Sequence, residues 1–201
     1  MNGSLGNPPS AINASRLLLG EGVEERYFFA AMLKHLQIAD VAIESYDGKD
    51  KLGAYLKALR NRSGFAQVTT LAILRDADDD PKAAEASVKG AVARAQFPET
   101  VDVRILILPG GGQLGALENL CLAPLRGSRI ENCIETYLLC ATEATGVTHT
   151  STTDKAKARI HAWLAAQSSP ELRLGHAAQK GFLPWDSPAF DGLKQFLTCF
   201  N

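Results

Sequence analysis

Four short apolar runs, separated by stretches of helical spacing, organise the chain. Leu17-Leu18-Leu19, Val41-Ala42-Ile43, Leu71-Ala72-Ile73-Leu74 and Ile105-Leu106-Ile107-Leu108 are each bounded by glycine, proline or polar residues. Runs of this length and composition are the pattern of strands buried on both faces of a parallel sheet. The strands they predict span 16–20, 41–45, 65–74 with its approach, and 101–108. Between them the period changes to that of a helix. Phe28, Phe29, Met32, Leu33 and Leu36 form one stripe within 23–37, and Leu52, Tyr55, Leu56 and Leu59 another within 51–62. The segment 81–95 follows a run of aspartates, with Asp79 or Asp80 placed to cap it and Pro81 at its first position. After position 108 the pattern is helical: a short segment within 114–122, then 130–141, 154–167 and 187–200. Strands alternating with helices predict an α/β fold, a mostly parallel sheet of about four strands covered on both faces, with C-terminal helices packed on it. One domain is expected over 16–201, with a core at 16–122, a helical part at 123–201 and a flexible lead-in at 1–15.

Composition narrows the function classes. Formal net charge is −1, so no global basic field draws in polyanions, and any nucleic acid would be recognised locally. No apolar run is long enough to span a bilayer. The polar first residues lack the layout of a secretion signal, and the four cysteines show neither a C-x-x-C pair nor metal-ligand spacing. A cytoplasmic location with reduced thiols is the expectation. The four histidines likewise have no ligand spacing, and Pro109-Gly110-Gly111-Gly112 lacks the Lys-Ser/Thr of a phosphate-binding loop.

Chemistry concentrates at the strand ends. Leu71-Ala72-Ile73-Leu74 runs into Arg75-Asp76-Ala77-Asp78-Asp79-Asp80, and open α/β sheets place ligands at the carboxyl ends of their strands. On an extended chain Asp76 and Asp78 point the same way. Two carboxylates about 4 Å apart repel by several kcal/mol unless a cation or a proton intervenes. Hard divalent ions such as Mg²⁺ take such ligands. A solvated acidic turn capping the next helix is the other reading of the same residues. In a parallel sheet the end of the first strand, Gly20-Glu21-Gly22, lies at the same edge, and Glu25, a helical turn further on, can face the same space. Glu24 reads as an acidic partner of the helix dipole. Four carboxylates in one crevice call for one or two Mg²⁺ or Mn²⁺ ions, the standard device of phosphoryl transfer.

A strand ending in Glu-Gly, an acidic residue four positions later and a further strand ending in Asp-x-Asp resemble the Toprim domain of topoisomerases, bacterial primases and OLD (overcoming lysogenisation defect) family nucleases. The chain carries these as Leu19-Gly20-Glu21-Gly22-Val23-Glu24-Glu25 and Leu74-Arg75-Asp76-Ala77-Asp78. It is also similar to stand-alone Toprim-like proteins with a Gly-Lys-Asp loop (Gly48-Lys49-Asp50-Lys51), a proline–glycine loop before Leu117-Glu118, and a Lys-Ala helix leading to Trp163-Leu164-Ala165. The resemblance covers roughly 16–200 and implies a three-layer αβα arrangement. It also implies Mg²⁺-dependent nuclease chemistry on nucleic acid, DNA rather than RNA. Glu21 would be a metal ligand or the general acid/base, and Asp76 and Asp78 would hold the metal. Glu25 would stand where a shorter Asp is usual, which leaves one or two ions open, and Glu118 would complete the shell or remain an exposed helix carboxylate. Lys155 or Lys157 would be the late lysine that stabilises charge on the phosphate. Lys49 and Lys51 are further candidates for phosphate contact. The resemblance suggests roles in phage defence or DNA repair, and an ATPase partner acting in trans, since the chain has no Walker sequence. The alternative is a non-catalytic module that binds metal, nucleotide or such a partner.

Overall fold

A computed structural model describes residues 11–170 and 172–201. Residues 1–10 of the expected lead-in lie outside the described residues, but 11–15 are not loose. Ile12 is buried, its N–H donates to Ser63 O (2.9 Å), and its carbonyl accepts from the Gln67 side chain.

The sheet comprises β1 (Arg16–Gly20), β2 (Val41–Ser45), β3 (Thr70–Asp76) and β4 (Asp102–Leu108), in the order β2-β1-β3-β4 and parallel throughout. Alternation along the strands divides the core. Leu17, Leu19, Leu71 and Ile73 face α2 (Leu52–Arg60) and α3 (Pro81–Ala95), where Leu52, Leu56, Val88 and Ala91 meet them. Leu18, Ala72, Leu74 and Leu108 face the opposite layer. That layer holds α1 (Val23–His35), α4 (Leu117–Leu122), α5 (Arg129–Thr145), α6 (Thr152–Ala165), α7 (Leu174–Gln179) and α8 (Asp191–Leu197). The result is the expected three-layer αβα fold.

Most element bounds follow the sequence pattern, and the departures have local causes. α1 stops at His35 because Gln37 enters the left-handed region (φ 58°) and Ile38 N–H returns to Leu33 O at 2.9 Å, a Schellman closure without glycine. The third strand begins only at Thr70, after a 3₁₀ turn at Phe65–Gln67, and extends to Asp76. Asp80, rather than Asp79, caps α3 by accepting from Ala83 N–H at 2.9 Å. The final segment is a short helix between two 3₁₀ turns, Pro188–Phe190 and Thr198–Phe200, instead of one continuous helix. The helix α7 has no counterpart in the sequence reading.

This topology decides where a site can form. β1 connects outward to β2 while β3 lies on its other side, so the strand order reverses between β1 and β3. Ligands of open α/β sheets sit in the crevice outside such a switch point. Glu21 follows β1 and Asp76 ends β3, so both stand at that crevice.

Candidate active site

The β1–α1 turn is built around Glu25. Its Oε2 accepts from Gly22 N–H at 2.9 Å, folding the side chain back over the end of β1. A Cβ on Gly20 would stand 2.8 Å from Glu25 Cβ, and one on Gly22 would stand 2.9 Å from Glu25 Oε2. Gly22 has φ −136°, open to any residue. The two glycines therefore supply room for Glu25 rather than backbone freedom.

Asp76 is held from the other side, its Oδ1 accepting from Leu117 N–H at 3.0 Å. That amide opens α4, and Glu118 follows in the first turn of the same helix. Asn119 closes the turn by accepting from Ala116 N–H (2.9 Å). Glu118 thus comes to Asp76 through the β4–α4 connection.

Asp78 is placed differently from the sequence expectation. β3 ends at Asp76, and Asp78 adopts a left-handed conformation (φ 52°), so strand alternation does not carry through to it. An isolated antiparallel bridge to Gly115 holds it, with Asp78 N–H to Gly115 O at 2.8 Å and the return bond at 2.7 Å. A non-glycine residue held at positive φ beside charged groups is strain of the kind found at functional sites. The Asp78 carboxylate meets Lys49 Nζ at 2.9 Å and Thr153 Oγ1 at 3.4 Å. Lys49 reaches it because the chain after β2 continues alongside β1, with Tyr46 N–H on Gly20 O (3.1 Å) and Gly48 N–H on Glu21 O (3.0 Å).

The carboxylates feel one another. Burial raises the Asp76 carboxyl well above the ordinary aspartate range, and Glu118, Glu25 and Glu21 raise it further. Glu25 is raised by burial and then by Glu118 and Glu21. Glu21 is raised by burial and by Asp78, against the opposing charges of Arg75 and Lys49. Glu21 Oε2 is buried with no hydrogen-bond partner among the described residues, an uncompensated acceptor of the kind native structures avoid. Glu21, Glu25, Asp76 and Glu118 are brought together, with Asp78 bordering Glu21.

Among the described residues, no three His, Cys, Asp or Glu side chains stand as an assembled metal shell. The oxygens are engaged elsewhere: Glu25 on Gly22, Asp76 on Leu117, Asp78 on Lys49. The all-oxygen donor set, and the orphaned Glu21 Oε2 above all, fits a hard divalent cation. Glu21, Asp76, Glu25 and Glu118 are the residues that could hold one, once Glu25 and Asp76 turn from their present backbone partners.

The lysines separate. Lys49 borders the cluster, whereas Lys51 is exposed at the start of α2. Lys155 and Lys157 are exposed on α6. The first turn of α6 reaches the site through Thr153, while the cationic charges acting on Glu21 are those of Arg75 and Lys49. Glu24 turns away and accepts from Gly175 N–H at 3.0 Å, tying α7 to α1. Three neighbours escape the sequence reading. Arg75, directly before the Asp-x-Asp motif, bonds Ser87 through Nη1 at 2.9 Å. Tyr46 is buried and donates to Leu74 O at 2.9 Å, its hydroxyl pKa raised by burial and by Glu21. Thr153 is the third. A buried tyrosine just after a strand and an arginine beside the aspartates were the signals available.

Residues 15–200 match the model of a family described as "Protein of unknown function (DUF3226)". No curated protein and no solved structure matches the chain.

Proposed function

The chain belongs to DUF3226, a family of proteins of unknown function, and from the carboxylates at its sheet edge we propose Mg²⁺-dependent phosphoryl transfer on nucleic acid, as a Toprim-type nuclease that hydrolyses phosphodiesters. One observation carries this reading. Glu21, Glu25, Asp76 and Glu118 crowd the switch point, three of them with raised carboxyl pKa, and the Glu21 Oε2 is buried without a partner among the described residues. A buried carboxylate oxygen without a hydrogen-bond partner is costly, and functional sites are where such costs are retained.

Glu21, Asp76, Glu25 and Glu118 would hold Mg²⁺ or Mn²⁺. When bound, a divalent ion supplies charge neutralisation at the scissile phosphate and lowers the pKa of water. Where Glu21 is not a ligand it would serve as the general acid/base instead, burial and Asp78 raising its carboxyl above the ordinary glutamate range. Lys49 leaves Asp78 for the phosphate, with exposed Lys51, Lys155 and Lys157 as outlying contacts to the strand. DNA is the substrate to test first, with RNA as the comparison.

Calorimetric titration of Mg²⁺ and Mn²⁺, with nicking of supercoiled plasmid, tests the reading on wild type, Glu21→Gln and Asp76→Ala/Asp78→Ala. Metal binding and nicking are both lost in the double variant. Glu21→Gln lowers the nicking rate by about 10²- to 10⁴-fold, the usual contribution of a positioned acid/base. Metal-independent nicking, or nicking undiminished in the double variant, removes the proposal.

The Lys49–Asp78 ion pair favours a second reading, a module whose site is closed until a partner such as an ATPase in trans engages it. Metal binding without nicking by the isolated chain is its signature.

A further inference from the structure

α5 buries little of itself. Of its 17 residues only Ile134 is fully buried, while Tyr137, at its midpoint, is 62% exposed. Beside it a groove of about 630 Å³ runs between α5 and α6. Its α5 wall carries Ile130, Cys133 and Tyr137, and its α6 wall is made largely of alanines, including Ala158, Ala162 and Ala165. A protruding aromatic ring beside a recess walled by small side chains is self-complementary: a second copy turned about a twofold axis offers the ring where the first offers the recess.

The charges of the helix specify the same occupant and its direction. Glu131 is engaged by Gly127 N–H and Glu135 by Arg159. The remaining exposed charges of α5 are Arg129 at its first residue and Glu143 near its last. At about 100° per residue, Arg129, Cys133, Thr136, Cys140 and Glu143 share one flank of the Tyr137 stripe. Arg129 and Glu143 lie seven residues to either side of Thr136, and Cys133 and Cys140 three and four residues from it. Laid antiparallel on itself, it sets Arg129 against Glu143 of the partner at both ends, Cys133 against Cys140 of the partner, and Thr136 on the axis. Laid parallel, it opposes like charges at each end.

We propose that the chain forms a twofold symmetric homodimer through α5 and the α5–α6 groove, with the two α5 helices antiparallel and Tyr137 of each copy in the groove of the other. The site at the sheet edge is not part of this interface, so the proposal stands apart from the nuclease reading.

Sedimentation equilibrium of the full chain tests it, with circular dichroism confirming that each variant remains folded. Wild type sediments at twice 21.6 kDa. Tyr137→Glu raises the dimer dissociation constant on the order of a hundredfold, the effect of losing two central aromatic anchors. Arg129→Glu raises it about tenfold, and adding Glu143→Arg returns it close to wild type, because exchanging both charges restores both pairs. Direction is read by a short bismaleimide in a Cys199→Ser background. Cys133→Ser and Cys140→Ser proteins each fail to cross-link alone, and their mixture cross-links. A monomer at all concentrations overturns the proposal. So does a dimer indifferent to Tyr137→Glu and to the charge exchange, or cross-linking by either single variant alone.

Discussion

Asp76 shows at the scale of one residue how a site can oppose its own fold. Burial and three neighbouring carboxylates raise its pKa, so the folded state binds protons more tightly than the unfolded chain does. A carboxyl raised on folding contributes stability that is complete below the unfolded pKa and lost as pH rises through the folded one. Glu21 and Glu25 shift the same way. These three carboxyls are therefore expected to lower the melting temperature of the metal-free protein as pH rises from the ordinary carboxylate range, with Mg²⁺ restoring part of the loss. They act against Glu44 and Glu135, which Arg62 and Arg159 shift the other way. Asp76→Asn keeps an acceptor for Leu117 N–H but removes the charge. It is expected to raise metal-free stability by about 1 kcal/mol or more, less than the roughly 4 kcal/mol of a like-charge contact at 4 Å and an effective dielectric of about 20, while weakening metal binding. Thermal melts across pH, with and without Mg²⁺, check both signs. An Asp76→Asn protein whose advantage over metal-free wild type fails to grow as pH rises would contradict the raised Asp76 carboxyl. Asp76 and Glu21 were legible in the sequence as strand-end carboxylates. The roles of Tyr46 and Arg75 were not, because a hydroxyl aimed at Leu74 O depends on which strand lies beside which.

At the scale of elements, the β1–α1 turn depends on packing more than on backbone freedom. Gly22 has an unremarkable φ, so Gly22→Ala meets only the Glu25 carboxylate, the far end of a side chain that can swing away. The expected outcome is a stability loss of at most about 1 kcal/mol with a marked fall in metal affinity, because the methyl displaces the Glu25 carboxylate. Gly20→Ala meets Glu25 Cβ, which cannot move without the helix, and is expected to cost about 1–3 kcal/mol, the range of overpacking. Denaturant melts and metal titration of the two variants separate these outcomes; equal effects would refute the distinction. α7 illustrates the limit of periodicity. Six residues are too few to show a stripe, and isolated short helices are marginal in water. It forms because Gly175 lets it approach α1, where a Cβ would lie 2.6 Å from Glu24 O, and because His176 stacks on Tyr27 with ring centroids 5.0 Å apart. The cap at Asp80 needed no such help, since Asp-Pro before an alanine-rich helix is a local signal.

At the scale of the whole molecule, the division into a core at 16–122 and a helical part at 123–201 does not separate two folding units. Leu18, Phe28 and Phe29 share one buried cluster with Phe190, Leu197 and Phe200, and Arg16 donates to both Phe200 O and Ala39 O. Phe190, edge-on to Trp185 and tilted against Phe28, is far in sequence from the sheet it helps to cover. Phe190→Ala is expected to cost about 3–5 kcal/mol and to lower a single cooperative transition seen alike by near- and far-ultraviolet circular dichroism. A variant that loses only the C-terminal helices while the sheet persists would show that the parts are independent.

By itself the sequence determined the strands, most helices, the α/β class and the acidic residues at the strand ends. Each of these follows from local information: runs that must be buried on both faces, a period of 3.6, and caps within four residues of what they cap. Tertiary structure alone decided that β1 and β3 are neighbours, and so that the strand order reverses between Glu21 and Asp76. It also decided that α4 delivers Glu118 and the Leu117 amide to Asp76, that Asp78 leaves the strand to bridge Gly115, and that Lys49 reaches the carboxylates. These depend on contacts between residues far apart in the chain, whose energies come from burial and charge in three dimensions and leave no periodic trace along it.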